Sequence, residues 1–122
     1  MAASQLPPDL SSAERARQLV IDELRRTAGL SDETRFRVEL LTTELVTNAV
    51  RHAGSPPRIT VERRGGRIRV QVADDSDEAP TPPSAEAPTR HRGLLLVEDL
   101  SEDWGVEIHD GGKVVWFELL ES

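Results

Sequence analysis

The spacing of apolar side chains near the start of the chain predicts a first helix over residues 12 to 27. Apolar positions recur at helical spacing in this stretch, and the pattern ends before a glycine. Residues 11 to 14, "SSAE", have the spacing of a capping box, in which Ser11 caps the helix and Glu14 reaches back. The helix is therefore expected to begin directly after Ser11.

The same spacing predicts a longer second helix. It begins at Ser31 or Asp32 and continues to His52 or Ala53. A glycine and two prolines follow within four residues, and proline cannot continue a helix.

Beyond these prolines the hydrophobic period changes from 3.6 to 2, which is typical of strands. The stretches "RITVERR" and "RIRVQVA" alternate in this way and are separated by Gly65-Gly66, which predicts a hairpin. "WGVEIHD" and "KVVWFELL", separated by Gly111-Gly112, predict a second one. The apolar residues of the second hairpin that we expect in the core are Val106, Ile108, Val115, Phe117 and Leu119.

The order of elements predicts an α+β fold. Residues 77–92 between the hairpins are rich in proline, acidic and small residues and are read as a loop, after which Gly93 opens a short helix. Segregated helices and hairpins indicate a two-layer α/β sandwich, with a mixed, mostly antiparallel sheet covered on one face by helices. We expect residues 1–10 to form a flexible arm and residues 11–122 to form one domain.

Composition narrows the classes of function. The 122 residues carry a net charge of −7, which argues against direct binding to nucleic acid, and no apolar run approaches the ~20 residues that span a bilayer. There is no cysteine, so disulfides and thiolate metal sites are excluded. "MAASQLPPDL" lacks the features of a secretory signal, which favours the cytoplasm.

The second helix carries a polar stripe among its apolar positions. Glu44, Asn48 and His52 follow one another at intervals of four, so they lie along one side of the helix. A carboxylate and an amide oxygen suit a magnesium–phosphate site, because magnesium prefers oxygen ligands and keeps most of its waters. The alternative is that Glu44 forms a salt bridge with a surface arginine while the other two flank the core.

Two further elements could contact a ligand. Asp74 ends an alternating strand, where its carboxylate could accept a hydrogen bond from a ligand amine; alternatively, it belongs to a solvated acidic turn. Gly93 stands at a helix start, where free backbone N–H groups favour an anion, and Arg92 adds positive charge. A plain N-terminal glycine is the alternative there.

Taken together, these elements resemble the GHKL superfamily of Bergerat-fold ATPases and kinases. "TELVTNAVRHA" looks like the N-box, "VADDS" like the first glycine box and "HRGLLLV" like the second, and "DWGVEIHDGGKVVWFEL" is similar to the way such domains end. The likeness spans about residues 12 to 120. It is strongest to anti-sigma-factor serine/threonine kinases and to stand-alone histidine-kinase-like ATP-binding proteins.

The resemblance implies a site for ATP and Mg²⁺. Glu44 would be the general base, Asn48 the magnesium ligand and His52 part of the nucleotide pocket. Asp74 would accept from the adenine amine, and residues 77–92 would form the ATP lid. The remaining nucleotide-binding positions lie in the two glycine boxes: Ser76, in a glycine's place, with Arg92, Gly93 and Leu94 near the phosphates.

The resemblance also implies partners. In such kinases the substrate is a serine of an anti-sigma-factor antagonist, the same protein sequesters a sigma factor, and a homodimer is allowed. Glu78 and His91 stand where the superfamily has glycines, which favours an alternative: a non-catalytic nucleotide-sensing or nucleotide-free module that binds a sigma factor or antagonist. A histidine-kinase catalytic fragment is a third reading, for which the expected dimerisation helices are missing before the N-box.

Overall fold

The chain folds as a layer of helices packed on one face of an antiparallel sheet. The computed structural model describes residues 2–5, 11–53, 57–75 and 92–121, with side chains over 11–51, 57–75 and 96–121. The elements in chain order are β1 (Ala2–Gln5), α1 (Ser12–Arg25), α2 (Asp32–Ala53), β2 (Arg58–Arg64), β3 (Arg67–Asp74), α3 (Arg92–Leu100), β4 (Asp103–His109) and β5 (Gly112–Leu120). The predicted α+β sandwich, both long helices and both hairpins are confirmed.

The sheet has five described strands in the order β1-β2-β3-β5-β4. All four pairings are antiparallel. The hairpin β2–β3 and the hairpin β4–β5 meet because β3 pairs with β5, with Val70 opposite Phe117 and Asp74 opposite Lys113. The last residue of β3 therefore lies beside the start of β5.

The core lies between the sheet and the helices. On β3 and β5, alternate side chains face the helices and are buried, as a period of two requires. Phe117 is fully buried at the centre of β5, and α1 and α2 cover this face with Val20, Leu24, Val38 and Leu41. Ile108 was expected in the core but is 51% exposed, because it lies near the end of the edge strand β4.

The turns and helix starts differ in detail from the predictions. Gly65 and Gly66 both have positive φ, as a tight hairpin turn requires. In the second hairpin the turn is formed one residue earlier than predicted, by Asp110 and Gly111, and Gly112 already belongs to β5. The capping box is not formed: Ser11 has helical backbone angles and makes no side-chain capping hydrogen bond.

The N-terminal residues that the structure describes also differ from the expected flexible arm. Ala2–Gln5 forms β1 and pairs with β2, from Ala2 opposite Val61 to Gln5 opposite Arg58. Backbone groups on the open edge of a sheet accept any extended segment, so no side-chain pattern is needed. This pairing therefore left no signal in the sequence.

Arg63 joins three separate parts of the fold. Its guanidinium donates to the backbone carbonyl oxygens of Leu24, Ala28 and Gly29, at 2.7, 2.9 and 2.9 Å. It also forms a two-point ion pair with Glu121, after the end of β5. One side chain thus fixes the end of α1 and the C-terminal segment to β2.

Candidate functional site

Glu44 and Asn48 lie on α2 at the border between the core and solvent. Both side chains are partly buried, while the neighbouring Leu45 and Ala49 are buried. Ser31 precedes the helix that carries them, and its hydroxyl accepts a hydrogen bond from the backbone N–H of Thr34 at 3.1 Å. Two of the three residues of the predicted stripe, Glu44 and Asn48, therefore lie on a well-formed helix at this border.

Neither side chain of this pair is committed to a partner within the described residues. Two other acids of α2 behave differently, since Glu39 pairs with Arg35 at 3.0 Å and Glu33 with Arg37 at 3.4 Å. Among the described side chains, Glu44 forms no salt bridge with a surface arginine, so the alternative prediction is not observed there. A partly buried carboxylate without a counter-charge can accept a proton or face a cation.

Asp74 is buried at the end of β3 and forms an ion pair with Lys113. The lysine Nζ lies 3.1 Å from Oδ1, to which it donates a hydrogen bond, and 2.9 Å from Oδ2. The contact between Nζ and Oδ2 is short enough for an ion pair but does not have the alignment of a hydrogen bond. The two side chains are only 1% and 3% exposed, so this part of the predicted acidic turn is not solvated.

The neighbouring Asp75 is solvated, as expected from the alternative prediction of a solvated acidic turn. Its side chain is 56% exposed and pairs with Arg58 at 3.2 Å. Consecutive strand residues face opposite sides of a sheet, so Asp74 enters the helix-covered face and Asp75 remains outside. Only the first of these acids can serve a buried pocket.

The start of β5 makes an unusually close approach to Asp74. A Cβ added to Gly112 would lie 2.6 Å from the backbone oxygen of Asp74. A real side chain does not fit at that distance, so glycine is required here for close packing rather than for a turn. This contact sets the position of the strand end that carries the carboxylate.

The remaining predicted site residues are only partly covered by the structure. α3 begins at Arg92, so Gly93 and Leu94 lie in its first turn, where backbone N–H groups lack helical acceptors. His52 lies on α2, but its side chain is outside the described residues. Ser76 and the predicted lid, apart from Arg92, lie outside them as well.

The packing of the elements brings the two acidic groups onto facing layers. α2 packs on both β3 and β5, so the helix with Glu44 and Asn48 lies against the strands with Asp74 and Lys113. Within the part of the chain that the structure describes, no cluster of three or more His, Asp or Glu side chains could hold a metal alone.

Sequence reasoning missed Lys113 and the reason for Gly112. Lys113 is in phase with the buried Val115, Phe117 and Leu119 of β5, so a charge at an inward position was visible in the alternation. Its partner could not be identified without the register between β3 and β5.

Comparison with known proteins gives a family match and similar folds. Residues 6–119 match the model of the histidine kinase-like ATPase domain. Among curated protein sequences there is no significant match. None of the described helices is long and apolar enough to cross a membrane.

Three solved structures illustrate the similarity. The RsbU and RsbW domains of Rv1364c from Mycobacterium tuberculosis match 98% of this chain with a TM-score of 0.75 and 17% identity, and this chain spans only 31% of that one. The histidine kinase domain from the Erythrobacter litoralis EL346 blue-light activated histidine kinase matches 73% of this chain and 45% of its own, with a TM-score of 0.55 and 26% identity. The catalytic domain of histidine kinase ThkA matches 99% of this chain and 97% of its own, with a TM-score of 0.57 and 20% identity.

Proposed function

The chain belongs to the family of histidine kinase-like ATPase domains, and from this premise we propose that it is a regulatory protein serine/threonine kinase of the anti-sigma-factor type. The family supports a general ATP-binding regulatory role. The proposal adds transfer of a phosphoryl group to a serine of an anti-sigma-factor antagonist, and sequestration of a sigma factor by the same protein. It also includes the cytoplasmic location in which these partners and ATP occur together.

The observation that carries the proposal is the uncommitted carboxylate of Glu44. Magnesium-bound ATP would supply the phosphoryl group and neutralise its charge. As the serine oxygen bonds to the γ-phosphorus and ADP leaves, Glu44 accepts the serine proton. A carboxylate already paired with an arginine is a weaker base, so the absence of such a partner among the described residues favours this role.

Asn48 fits the role of magnesium ligand by its chemistry and position. Its amide oxygen is a hard donor, and it lies one helical turn from Glu44 on the same side of α2. Asp74 would receive the amine of the adenine. Because Asp74 is 1% exposed, a base can reach it only after the groups that cover it move aside.

The first experiment measures nucleotide binding directly. Thermal unfolding of the purified chain is followed with ATP, with and without magnesium. A ligand at a hundred times its Kd stabilises the folded state by about 2.7 kcal/mol, which is readily visible. Asn48→Ala should remove the magnesium-dependent part of this shift; absence of any shift in the wild-type chain at every magnesium concentration would refute the proposed function.

The second experiment tests transfer and the role of Glu44. Partners are co-purified from the native cell, identified, and incubated with labelled ATP and the purified chain. Glu44→Gln should bind ATP as the wild type does but transfer no label, because the amide cannot accept the proton. Glu39→Gln, which changes a paired acid on the same helix, is the matched control and should retain transfer.

The second candidate function is a non-catalytic module that binds a sigma factor or antagonist. It is favoured by Glu78 and His91, which replace expected glycines. Partner binding without label transfer by the wild-type chain would support this module and contradict the kinase.

A further inference from the structure

The ion pair between Lys113 and Asp74 is the one feature of the site that the assigned roles leave unexplained. Both groups are almost fully buried, and Lys113 occupies an inward position of β5 that is otherwise apolar. In the described part of the chain, every other ion pair has at least one side chain that is more than 10% exposed. The pair is therefore set apart from the surface network.

Stability alone is a weak reason for such a pair. Removing two charges from water is costly, and replacing a buried pair with apolar side chains is often neutral or stabilising. The alternation of β5 would accommodate an apolar residue at position 113, as it does at 115, 117 and 119. A need for a charged carboxylate at position 74 accounts for the lysine better than packing does.

We propose that Lys113 is a positioning residue that holds the Asp74 carboxylate as an oriented hydrogen-bond acceptor, and thereby makes the site select 6-amino over 6-oxo purine nucleotides. This inference rests on the proposed function, in which Asp74 receives the adenine amine. An ionised carboxylate only accepts hydrogen bonds, so it matches the amine of adenine and opposes the carbonyl oxygen of hypoxanthine. The lysine acts through Asp74 and need not touch the base.

Loss of the lysine charge should change what Asp74 offers to a ligand. Without the ammonium group of Lys113, the Asp74 carboxylate loses the donor and the positive charge that hold its two oxygens at 3.1 and 2.9 Å. A carboxyl group that is not held in this way can turn away from the amine, and as an acid it would carry an O–H donor beside an acceptor oxygen, so it would suit a 6-oxo purine as well as a 6-amino one. Replacing Lys113 should therefore change the selectivity between 6-amino and 6-oxo purine nucleotides, and not only the affinity for ATP.

The test compares ATP with inosine triphosphate, which differs at the 6-position, by calorimetric titration in the presence of magnesium. We expect the wild-type chain to bind ATP at least about tenfold more tightly, since a site built to hydrogen-bond one group rejects its analogue. Lys113→Met should reduce this ratio to within about threefold, corresponding to loss of one charge-assisted hydrogen bond. Lys113→Arg keeps the charge and should restore most of the ratio.

One control and a second neutral variant separate positioning from a merely structural role. Val115→Ala, at the next inward position of β5, lowers stability and should leave the ratio unchanged. Lys113→Gln, which keeps hydrogen-bonding capacity without charge, provides the same comparison if the methionine variant does not fold, and it too should lose the ratio.

The outcomes also separate this inference from the proposed function. If the wild-type chain binds ATP selectively and both neutral variants, folded, keep the wild-type ratio, Lys113 is structural and only this inference fails. If the wild-type chain binds ATP no more tightly than inosine triphosphate, the selectivity claim fails while nucleotide binding stands. If the wild-type chain binds neither nucleotide, both the inference and the proposed function fail.

Discussion

Replacing Arg63 should produce the largest loss of stability of any single change on the sheet surface. The guanidinium makes three hydrogen bonds to the carbonyl oxygens of Leu24, Ala28 and Gly29 and a two-point ion pair with Glu121. Its side chain is 13% exposed, so water replaces these contacts poorly after truncation. The acid left behind is 21% exposed and keeps part of its hydration.

The magnitude follows from these contacts. Hydrogen bonds to charged groups contribute about 1.5–3 kcal/mol each, but contacts of one side chain are not additive, and truncation leaves partners unpaired. We therefore expect Arg63→Ala to lower the free energy of unfolding by about 3 kcal/mol. For a domain of this size, this corresponds to a fall in Tm of about 9–15 °C.

The assay is urea unfolding followed by circular dichroism, with Arg64→Ala as the matched control. Arg64 is the next residue on β2, its side chain is 86% exposed, and its only described pairing is with Glu62 at 3.4 Å. The control should change stability by less than about 0.5 kcal/mol. Arg63→Lys should fall between, because an ammonium cannot reach three carbonyls and a carboxylate at once.

A result in which Arg63→Ala and Arg64→Ala unfold at the same urea concentration, with equal slopes, would refute this reasoning. It would mean that the carbonyl oxygens at the end of α1 are satisfied equally well by water. The Arg63–Glu121 double-mutant cycle then isolates the ion pair, since the coupling energy excludes effects of each side chain on its own.

Two further predictions concern positions where the backbone or a buried hydroxyl sets the outcome. Gly112→Ala should destabilise the fold by about 1–3 kcal/mol in urea unfolding, because the added Cβ would lie 2.6 Å from the backbone oxygen of Asp74. The control Gly29→Ala, at a position with open space around it, should change stability by less than about 1 kcal/mol. Equal effects of the two substitutions would contradict the close-contact argument. Thr42→Val should stabilise by about 1 kcal/mol, because the buried Thr42 hydroxyl has no hydrogen-bond partner among the described residues, and a lower Tm for this variant would show that the hydroxyl is satisfied.

Most of the fold could be predicted because its elements carry local signals. Alternation and paired glycines located both hairpins, although the second turn is formed by Asp110 and Gly111, and helical spacing gave α1 and α2 to within two residues at each end. The features that were missed depend on contacts between distant residues. β1 is defined only by pairing with β2, and the exposure of Ile108 follows from the place of β4 at the sheet edge.

The candidate site, like the fold, was predictable only where local spacing along the chain brings residues together. Glu44 and Asn48 stand four residues apart on one helix, so spacing alone placed them together. Lys113 and Asp74 are 39 residues apart, and their contact depends on the register of two strands from different hairpins. A charged residue at an inward position of a buried strand indicated that some partner exists, but it could not identify that partner.

The two acids of the site are stabilised in opposite ways, and this difference separates their roles. Asp74 is held by a buried lysine, so its charge is balanced before any ligand arrives. Glu44 has no such balance among the described residues, and its negative charge adds to the self-repulsion of a chain of net charge −7. A group that is kept uncommitted at a cost to stability is typical of a site selected for chemistry. The transfer-deficient Glu44→Gln variant should therefore unfold no more easily than the wild type, and a loss of stability there would indicate a structural role for Glu44 instead.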